Sequence, residues 1–383
     1  MTYDVDALRR QEFPWAANGE CIYLNNASTG PLPERTVRAT AEWAYLRANP
    51  ERVPGDLQFG TLTRGRDLVA RLIGASPSEI ALATNTTFGI NLAAFALPLA
   101  TGDVVLTPDL EFPANVYPWM QLAERRGVEY RRIKCDDGVL DRDRLEKELE
   151  DERVRVVSVS WVQYASGARV DLTALGTLCR ERGVYFVVDA IQGLGPLRID
   201  LRHTPVDIFS SGAQKWLLGP WGAGFVYVRR ELVPQLEPHD VSWMAVRGSD
   251  DFTRLADYDL TWRADARRFE FITLPYQDFA GMNASLALIY QLGLDAISEH
   301  TLRLADMIVT WVCSRDDVSL ITPADGARRA AIVSVRPRDA VGASRRLKDA
   351  NVVHSLREGG IRLSPYFYNT EEEIERVLRL MAP

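Results

Sequence analysis

The sequence predicts an α/β protein, in which a mainly parallel sheet is covered by helices and is followed by a smaller α+β domain. Short, almost wholly apolar runs recur along the first two thirds of the 383 residues, amphipathic helical patterns separate these runs, and the alternation stops near residue 230. Apolar strands that alternate with helices are typical of a parallel sheet that is buried on both faces. The composition, 46% hydrophobic and 25% charged, is sufficient for a large core.

Seven candidate strands make up the predicted sheet. They span residues 80–83, 103–107, 128–133, 154–160, 184–188, 207–210 and 225–228. Candidate helices lie between them at residues 87–97, 116–126, 141–150 and 172–182. Ligands of such sheets bind beyond the carboxyl ends of the strands, so functional residues are expected there.

The last third of the chain predicts a smaller domain. Helical patterns at residues 277–292 and 298–311 are followed by a strand, a helix, a strand and a helix at residues 331–335, 341–350, 361–364 and 370–381. Thr370 and Glu373 form a capping-box pattern at the start of the last helix. We expect an N-terminal segment, 1–20, that packs on the small domain, a large domain over 21–255, and a small domain with its linking helix over 256–383.

Charge and cysteine usage disfavour several functional classes. A net charge of −7 argues against nucleic-acid binding through bulk charge. Four cysteines and four histidines are scattered without a C-x-x-C or H-E-x-x-H spacing, so no metal site is expected. The acidic start and the lack of a long uninterrupted apolar segment predict a cytoplasmic protein without a membrane span.

Three polar groups follow predicted strands. Asp189 ends a buried strand, Lys215 lies in a weakly charged segment before a glycine-rich turn, and Thr86 and Thr87 enter a helix. A desolvated lysine has a lowered pKa, and a helix N-terminus with free N–H groups binds phosphate. Each group alone has a plainer interpretation: a structural ion pair or helix cap, a lysine that reaches solvent, or an ordinary N-cap.

The three groups together predict a site for pyridoxal 5′-phosphate (PLP). This cofactor needs a lysine for a Schiff base, a carboxylate at its ring nitrogen and a phosphate site. The chain lacks the G-x-G-x-x-G motif of dinucleotide-dependent dehydrogenases and the G-x-S-x-G motif of α/β-hydrolases, which disfavours both classes.

Two segments carry a resemblance to a known family: V-D-A-I-Q-G at 188–193 and Q-K-W-L-L-G-P-W-G at 214–222. Residues 23–27, 84–87, 269–273 and 361–365 support it. The sequence resembles the fold-type I PLP-dependent enzymes of the class V aminotransferase group, which includes cysteine desulfurases, isopenicillin N epimerase-like proteins and kynureninases. The resemblance covers about residues 20–290 and 350–380.

The resemblance implies specific cofactor contacts. Lys215 would form the Schiff base, Asp189 would pair with the ring nitrogen, and Gln192 would approach the phenolic oxygen. Phosphate would be bound at Thr86 and Thr87.

Further cofactor contacts are implied near these residues. Phe112 would stack on the cofactor ring, with core packing as the alternative, and Gln163 would lie near the phenolic oxygen and the substrate. Ser211, or alternatively Ser210, would supply the hydroxyl that is absent at Gly212. Gln214 stands where many desulfurases carry histidine.

The resemblance also implies a partner and a substrate site. Thr273 would reach the phosphate of a neighbouring subunit, which implies a homodimer. Arg362 would bind the substrate carboxylate, with a strand-edge ion pair as the alternative, and Asn26 and Ala27 would line the substrate site.

The expected reaction is transfer or elimination on an α-amino acid, through an external aldimine and deprotonation at Cα by Lys215. Residues 325–362 contain no cysteine, whereas desulfurases need a mobile one in this region to accept sulfur. The alternatives are desulfurase-like or C–S lyase-like chemistry without that cysteine, epimerase-like activity, and a non-catalytic protein with the same fold.

Overall fold

The computed structural model describes residues 3–135 and 138–382. Its α-helices are α1 (Val5–Glu12), α2 (Pro14–Ala17), α3 (Glu34–Ala48), α4 (Leu57–Ile73), α5 (Thr86–Ala96), α6 (Tyr117–Arg126), α7 (Arg142–Glu148), α8 (Leu172–Glu181), α9 (Tyr276–Leu292), α10 (Leu294–Cys313), α11 (Ala340–Asp349) and α12 (Glu371–Met381). Its strands are β1 (Ile22–Tyr23), β2 (Ile80–Ala83), β3 (Val104–Pro108), β4 (Glu129–Ile133), β5 (Val154–Ser160), β6 (Tyr185–Asp189), β7 (Ile208–Gly212), β8 (Gly224–Val228), β9 (Val318–Leu320), β10 (Val333–Pro337), β11 (Val352–Val353), β12 (Ser355–Arg357) and β13 (Gly360–Leu363).

The main sheet has seven strands in the order β2-β8-β7-β6-β5-β3-β4. Strand β8 runs antiparallel to both of its neighbours, and the other pairings are parallel. The predicted fold, a mainly parallel seven-stranded sheet covered by helices, is confirmed. The parallel order places the carboxyl ends of β3, β5, β6 and β7 side by side at one edge.

Both faces of this sheet are buried, which explains why its strands are nearly continuous apolar runs. Phe186 and Val188 of β6 point into one core cluster, and Val187 points into the other. This alternation follows from the two-residue period of a strand. Helices α4 and α9 pack in the first cluster, and α5 and α6 pack in the second.

The C-terminal part forms a four-stranded antiparallel sheet in the order β12-β13-β10-β9. Residues of α10, α11 and α12 fill its own core cluster. The short parallel pair β1–β11 joins the start of the chain to this part. Tyr3 donates to the Phe367 carbonyl at 2.9 Å, and Arg9 pairs with Glu373 at 2.8 Å. The division into domains stays a prediction.

The sequence patterns do not predict helices α3 and α4. Only Thr36 and Trp43 of α3 are buried, so the helix shows no apolar stripe. Helix α10 begins at Leu294, four residues before the predicted start. No helix within residues 3–135 and 138–382 is long and apolar enough to span a membrane.

Candidate active site

The candidate site lies at the carboxyl edge of the main sheet, where four polar segments meet. Asp189 ends β6, Ser211 and Gly212 end β7, and Ser160 ends β5. Thr86 is the first residue of α5. Its hydroxyl accepts a hydrogen bond from the Gly212 N–H at 2.9 Å, which places the N-terminus of α5 beside the end of β7. Lys215 follows β7 by three residues.

Lys215 lies at this edge of the main sheet and has no ion-pair partner among the described residues. Its Nζ is 5.7 Å from the centre of the Phe112 ring. Burial lowers the pKa of Lys215 to about 8; the negative charge of Asp189 opposes this shift, and Arg362 and Arg357 add to it. The amine is therefore neutral in a much larger fraction of molecules near neutral pH than an ordinary lysine amine is.

Asp189 is a buried carboxyl with a single hydrogen-bond donor in the described chain. Its side chain accepts from the Ile191 N–H at 3.1 Å, and the residue is 3% exposed. Burial raises the pKa of Asp189 to about 6, against the opposing effects of the Ile191 N–H and of Lys215. A cation placed beside it would lower this pKa and stabilise the carboxylate.

The N-terminus of α5 presents backbone N–H groups at this edge of the sheet. Asn85 caps the helix by accepting from the Phe88 N–H at 3.0 Å, so the N–H groups of Thr86 and Thr87 have no partner within the helix. Ser210 donates to the Thr86 carbonyl at 3.0 Å, and Ser211 donates to the Gly212 carbonyl at 3.0 Å.

Gln214 contributes a buried polar atom at this edge. Its Oε1 has no hydrogen-bond partner among the described residues. A Cβ on Gly212 would lie 2.2 Å from this oxygen, so glycine is the residue that fits there. An unpaired buried oxygen favours a bound donor.

The Phe112 ring forms one wall near the lysine. The residue is 44% exposed, and its ring meets that of Tyr164 edge to face with centres 5.3 Å apart. A side chain with this exposure is not packed in the core, so the alternative interpretation of Phe112 as a core residue does not hold. Tyr164 is not predicted from the sequence.

Arg362 is a buried guanidinium with neutral partners. It donates to the Tyr164 carbonyl at 2.7 Å, to Ser28 Oγ at 2.7 Å and to Ser355 Oγ at 3.2 Å. No carboxylate pairs with it among the described residues, so the strand-edge ion pair is not formed. Burial, helped by the charge of Arg357, lowers the pKa of Arg362 to about 10. A buried cation with no counterion favours an anionic ligand.

Gln192, Asn26 and Ala27 fix the lysine segment to the N-terminal chain. Gln192 donates to the Ala27 carbonyl at 2.9 Å and accepts from the Trp216 ring N–H at 2.9 Å. Asn26 donates to the Lys215 carbonyl at 3.3 Å and accepts from the Tyr368 hydroxyl at 2.9 Å. Both amides are engaged within the chain.

Gln163 and Thr273 are the two remaining residues predicted to contact the cofactor. The Gln163 amide donates to the Leu110 carbonyl and accepts from the Ala165 N–H at 3.1 Å, so it holds two loops together. Thr273 is exposed, and no described hydrogen bond joins its side chain to the residues around Lys215.

Glu111 lies at the same edge of the sheet, although the sequence patterns do not identify it as a site residue. It accepts from the Ser160 N–H at 2.6 Å and from the Ser160 hydroxyl, and burial raises its pKa to about 7. The signal that could have found it is the same as for Asp189: a carboxyl that closely follows a buried strand.

The residues present fit PLP. The N–H groups at Thr86 and Thr87 suit a phosphate, Asp189 suits a protonated ring nitrogen, and the lowered pKa of Lys215 suits attachment to an aldehyde. The unpaired Oε1 of Gln214 is a further polar group that the chain itself leaves without a partner.

Comparison with known proteins gives a consistent set of matches. The family model described as aminotransferase class-V matches residues 22–377. A probable cysteine desulfurase of Methanothermobacter thermautotrophicus is 31% identical, over 92% of each chain. Isopenicillin N epimerase of Streptomyces clavuligerus is 30% identical, over 93% of each chain. The apo structure of a cysteine desulfurase from Thermococcus onnurineus superposes with a TM-score of 0.86 at 26% identity, covering 100% of this chain and 98% of that one.

Proposed function

The chain belongs to the aminotransferase class-V family of PLP-dependent enzymes, and we propose that it attaches PLP at Lys215 and removes the Cα proton of an α-amino acid. The observation that carries this proposal is the position of Lys215 at the sheet edge where Asp189 ends β6. The Lys215 Nζ lies 5.7 Å from the centre of the Phe112 ring, which packs against the Tyr164 ring, and the Tyr164 carbonyl accepts a hydrogen bond from Arg362 at 2.7 Å. Neither Asp189 nor Arg362 has an ion-pair partner among the described residues.

Each residue has a distinct part in binding the cofactor. Asp189 would hold the proton on the ring nitrogen, and the N–H groups at Thr86 and Thr87 would hold the phosphate. Phe112 would cover the ring at the open side, since its own ring is half exposed and lies beside the lysine. PLP, when bound, supplies an electron-accepting ring that stabilises the negative charge left at Cα.

Substrate handling follows from Arg362 and Lys215. The guanidinium of Arg362 would bind the substrate carboxylate as a fork, because its present partners are neutral oxygens that a carboxylate outcompetes. The Nζ of Lys215 would then take the Cα proton, which its lowered pKa favours. Return of this proton to the cofactor would give the transfer outcome, whereas loss of a β-substituent from the substrate would give the lyase outcome.

Covalent trapping tests the proposal. The purified protein is incubated with PLP, reduced with borohydride and digested, and the modified peptide is identified by mass spectrometry. We expect the modification at Lys215, and no borohydride-stabilised PLP adduct in Lys215→Arg. Lys147→Arg is the matched control, because Lys147 is an exposed helical lysine. Modification at another lysine, or full turnover by Lys215→Arg, would overturn the proposal.

A C–S lyase-like activity is the second candidate, because one relative is named a probable cysteine desulfurase. No cysteine follows Cys313 in the sequence, and β12 and β13 are joined by only two residues. A sulfur-accepting thiol is therefore missing from this hairpin, which favours direct release of sulfide. With L-cysteine and water, a lyase gives sulfide, pyruvate and ammonia, whereas a desulfurase gives alanine and transfers the sulfur to an acceptor thiol as a persulfide. Chiral chromatography of the recovered amino acid tests the epimerase-like alternative.

A homodimer in the cytoplasm completes the proposal. Thr273 is exposed, and so are several large apolar side chains, which suits a subunit interface. These apolar side chains include Trp221, Tyr258 and Phe271. Cys21, Cys179 and Cys313 are free thiols, the state that a reducing compartment maintains. Light scattering tests the dimer, and localisation of a tagged protein tests the compartment.

A further inference from the structure

The Phe112 loop, residues 109–116, carries the exposed ring beside Lys215 and is joined to β5 on both sides of that ring. We propose that Glu111 is a positioning residue, which acts together with Ser160 to hold the Phe112 ring in its place beside Lys215. The inference rests on the proposed function, because it explains how one wall of the same site is held in position.

Two serines on one face of β5 attach the loop. Ser158 and Ser160 are alternate residues of the strand, so their side chains share a face. Ser158 donates to Asn115 Oδ1 at 2.5 Å. Ser160 donates to Glu111 twice, from its N–H at 2.6 Å and from its hydroxyl. The loop is therefore attached along the strand at two points, one on each side of Phe112.

Burial changes sharply along the loop. Glu111 is 7% exposed and Asn115 is fully buried, whereas Phe112 is 44% exposed. Asn115 also accepts from the Trp119 ring N–H at 3.2 Å, and its own backbone N–H donates to the Phe112 carbonyl at 2.8 Å. The exposed ring thus lies between two buried polar residues that are only four positions apart, which limits how far the ring can move.

The Glu111 carboxyl takes the place of a strand partner at the end of β5. The pairing of β3 with β5 ends at Val157, and the Ser160 N–H donates to Glu111 instead. An aliphatic side chain at position 111 could accept neither hydrogen bond from Ser160. Because a backbone N–H without an acceptor is unfavourable, these hydrogen bonds favour one position of the loop. The Gln163 amide, which donates to the Leu110 carbonyl, adds a third attachment.

The position of the Phe112 ring matters because the ring contacts other groups of the site. Its centre is 5.7 Å from the Lys215 Nζ and 5.3 Å from the centre of the Tyr164 ring, which it meets edge to face. An aromatic ring contributes such contacts only at a defined distance and tilt. Release of the loop from β5 would therefore remove this wall and leave the chain around Asp189 in place.

A double-mutant cycle tests whether Glu111 acts through Phe112. The ligand is pyridoxine 5′-phosphate, which has the ring and the phosphate of PLP but no aldehyde, so its binding needs no attachment to Lys215. Isothermal titration calorimetry uses the full chain, freed of PLP, at pH 6. Glu111 is mostly protonated at this pH, because burial raises its pKa to about 7. Its removal then deletes hydrogen bonds and little charge.

Phe112→Ala is expected to weaken binding by about fivefold, and Glu111→Ala by about threefold. In the Phe112→Ala background, Glu111→Ala should change the dissociation constant by less than about 1.5-fold. Glu111→Gln can still accept from the Ser160 N–H and should bind like the wild type. Glu124→Ala, at an exposed position of α6, is the matched control. Equal weakening by Glu111→Ala in both backgrounds would overturn the inference.

A second readout needs no ligand. Hydrogen–deuterium exchange of the peptide over residues 109–117, followed by mass spectrometry, should be about tenfold faster in Ser160→Ala than in the wild type. This variant keeps the buried carboxyl and loses only one hydroxyl. Unchanged exchange in both Ser160→Ala and Glu111→Ala would also contradict the inference. Failure of the proposed function is seen separately, as the absence of trapped PLP at Lys215, since neither calorimetry nor exchange depends on that attachment.

Discussion

Ser160 and Asp189 lie directly opposite each other in the parallel pair β5–β6, and Glu111 accepts hydrogen bonds from both the N–H and the hydroxyl of Ser160. Two buried carboxyls thus lie beside neighbouring strands. The groups that face Glu111 are Ser160 and Asn115, together with Asp189 from β6 and Tyr130 from β4. No cation pairs with Glu111 among the described residues, so its ionised form is disfavoured by burial.

Glu111→Gln is expected to change how stability depends on pH. The folded protein raises the pKa of Glu111 from its ordinary 4.5 to about 7, so the folded state binds this proton more tightly than the unfolded state. The contribution of Glu111 to stability is full below about pH 4.5 and is lost as pH rises to about 7. The variant should gain less than about 1 kcal/mol relative to the wild type near pH 5 and about 3 kcal/mol at pH 7.5.

Urea unfolding at pH 5, 6 and 7.5 measures this difference. Glu237→Gln, at an exposed position, is the control and should show no such trend. A stability difference between Glu111→Gln and the wild type that does not vary with pH would contradict the prediction.

The rate at which PLP attaches to Lys215 is expected to rise with pH around 8. Attachment requires the neutral amine, and the pKa of Lys215 is lowered from 10.5 to about 8. Asp189→Asn should move the midpoint below that of the wild type, because the Asp189 charge raises this pKa. Initial rates of borohydride-trapped incorporation between pH 6.5 and 9.5 give the midpoint. A wild-type midpoint near 10 would show that Lys215 is not desolvated, and no shift in Asp189→Asn would show that the Asp189 charge does not act on Lys215.

Gly30→Ala is expected to disturb the lysine segment. A Cβ at Gly30 would lie 2.0 Å from the Lys215 carbonyl oxygen, and the Gly30 N–H donates to the Gln214 carbonyl at 2.8 Å. Backbone must therefore move, and we expect weaker PLP binding in a spectroscopic titration. Gly60→Ala is the matched control, since its Cβ meets no atom within 4 Å. Gly60→Ala should stabilise the protein by about 0.5–1 kcal/mol, because Gly60 lies within a helix. Unchanged PLP affinity in Gly30→Ala would contradict the close contact between Gly30 and the Lys215 carbonyl.

Arg66→Ala is expected to destabilise the protein strongly. Arg66 donates to both carboxylate oxygens of Glu270, at 2.8 and 2.6 Å, and both side chains are buried. Removing one partner leaves a buried charge, which costs about 3–5 kcal/mol. The exposed pair Arg254–Asp257 is the comparison, because Arg254→Ala should change the free energy of unfolding by less than about 1 kcal/mol. Similar losses in the two variants, measured in urea, would be the contrary result.

The sequence predicts the main sheet closely because its strands are buried on both faces and therefore apolar. Strands β2 and β5 have the predicted bounds. The other strands of this sheet begin and end within one or two residues of the bounds predicted for them. The class V family and the PLP cofactor, predicted from the segments around Asp189 and Lys215, are confirmed by the family match. The roles of the individual site residues remain predictions.

Other features depend on contacts that sequence patterns do not carry. Glu111 becomes notable only because Ser160 and Asp189 face each other across two strands. Helix α3 escapes detection because it buries too few apolar side chains.

The Asn26 amide joins the Lys215 segment to a residue that is distant in the sequence. Its side chain donates to the Lys215 carbonyl and accepts from the Tyr368 hydroxyl, so the backbone at Lys215 is held by contacts with two other parts of the chain. The position of Lys215 therefore depends on tertiary packing as well as on the strand that precedes it.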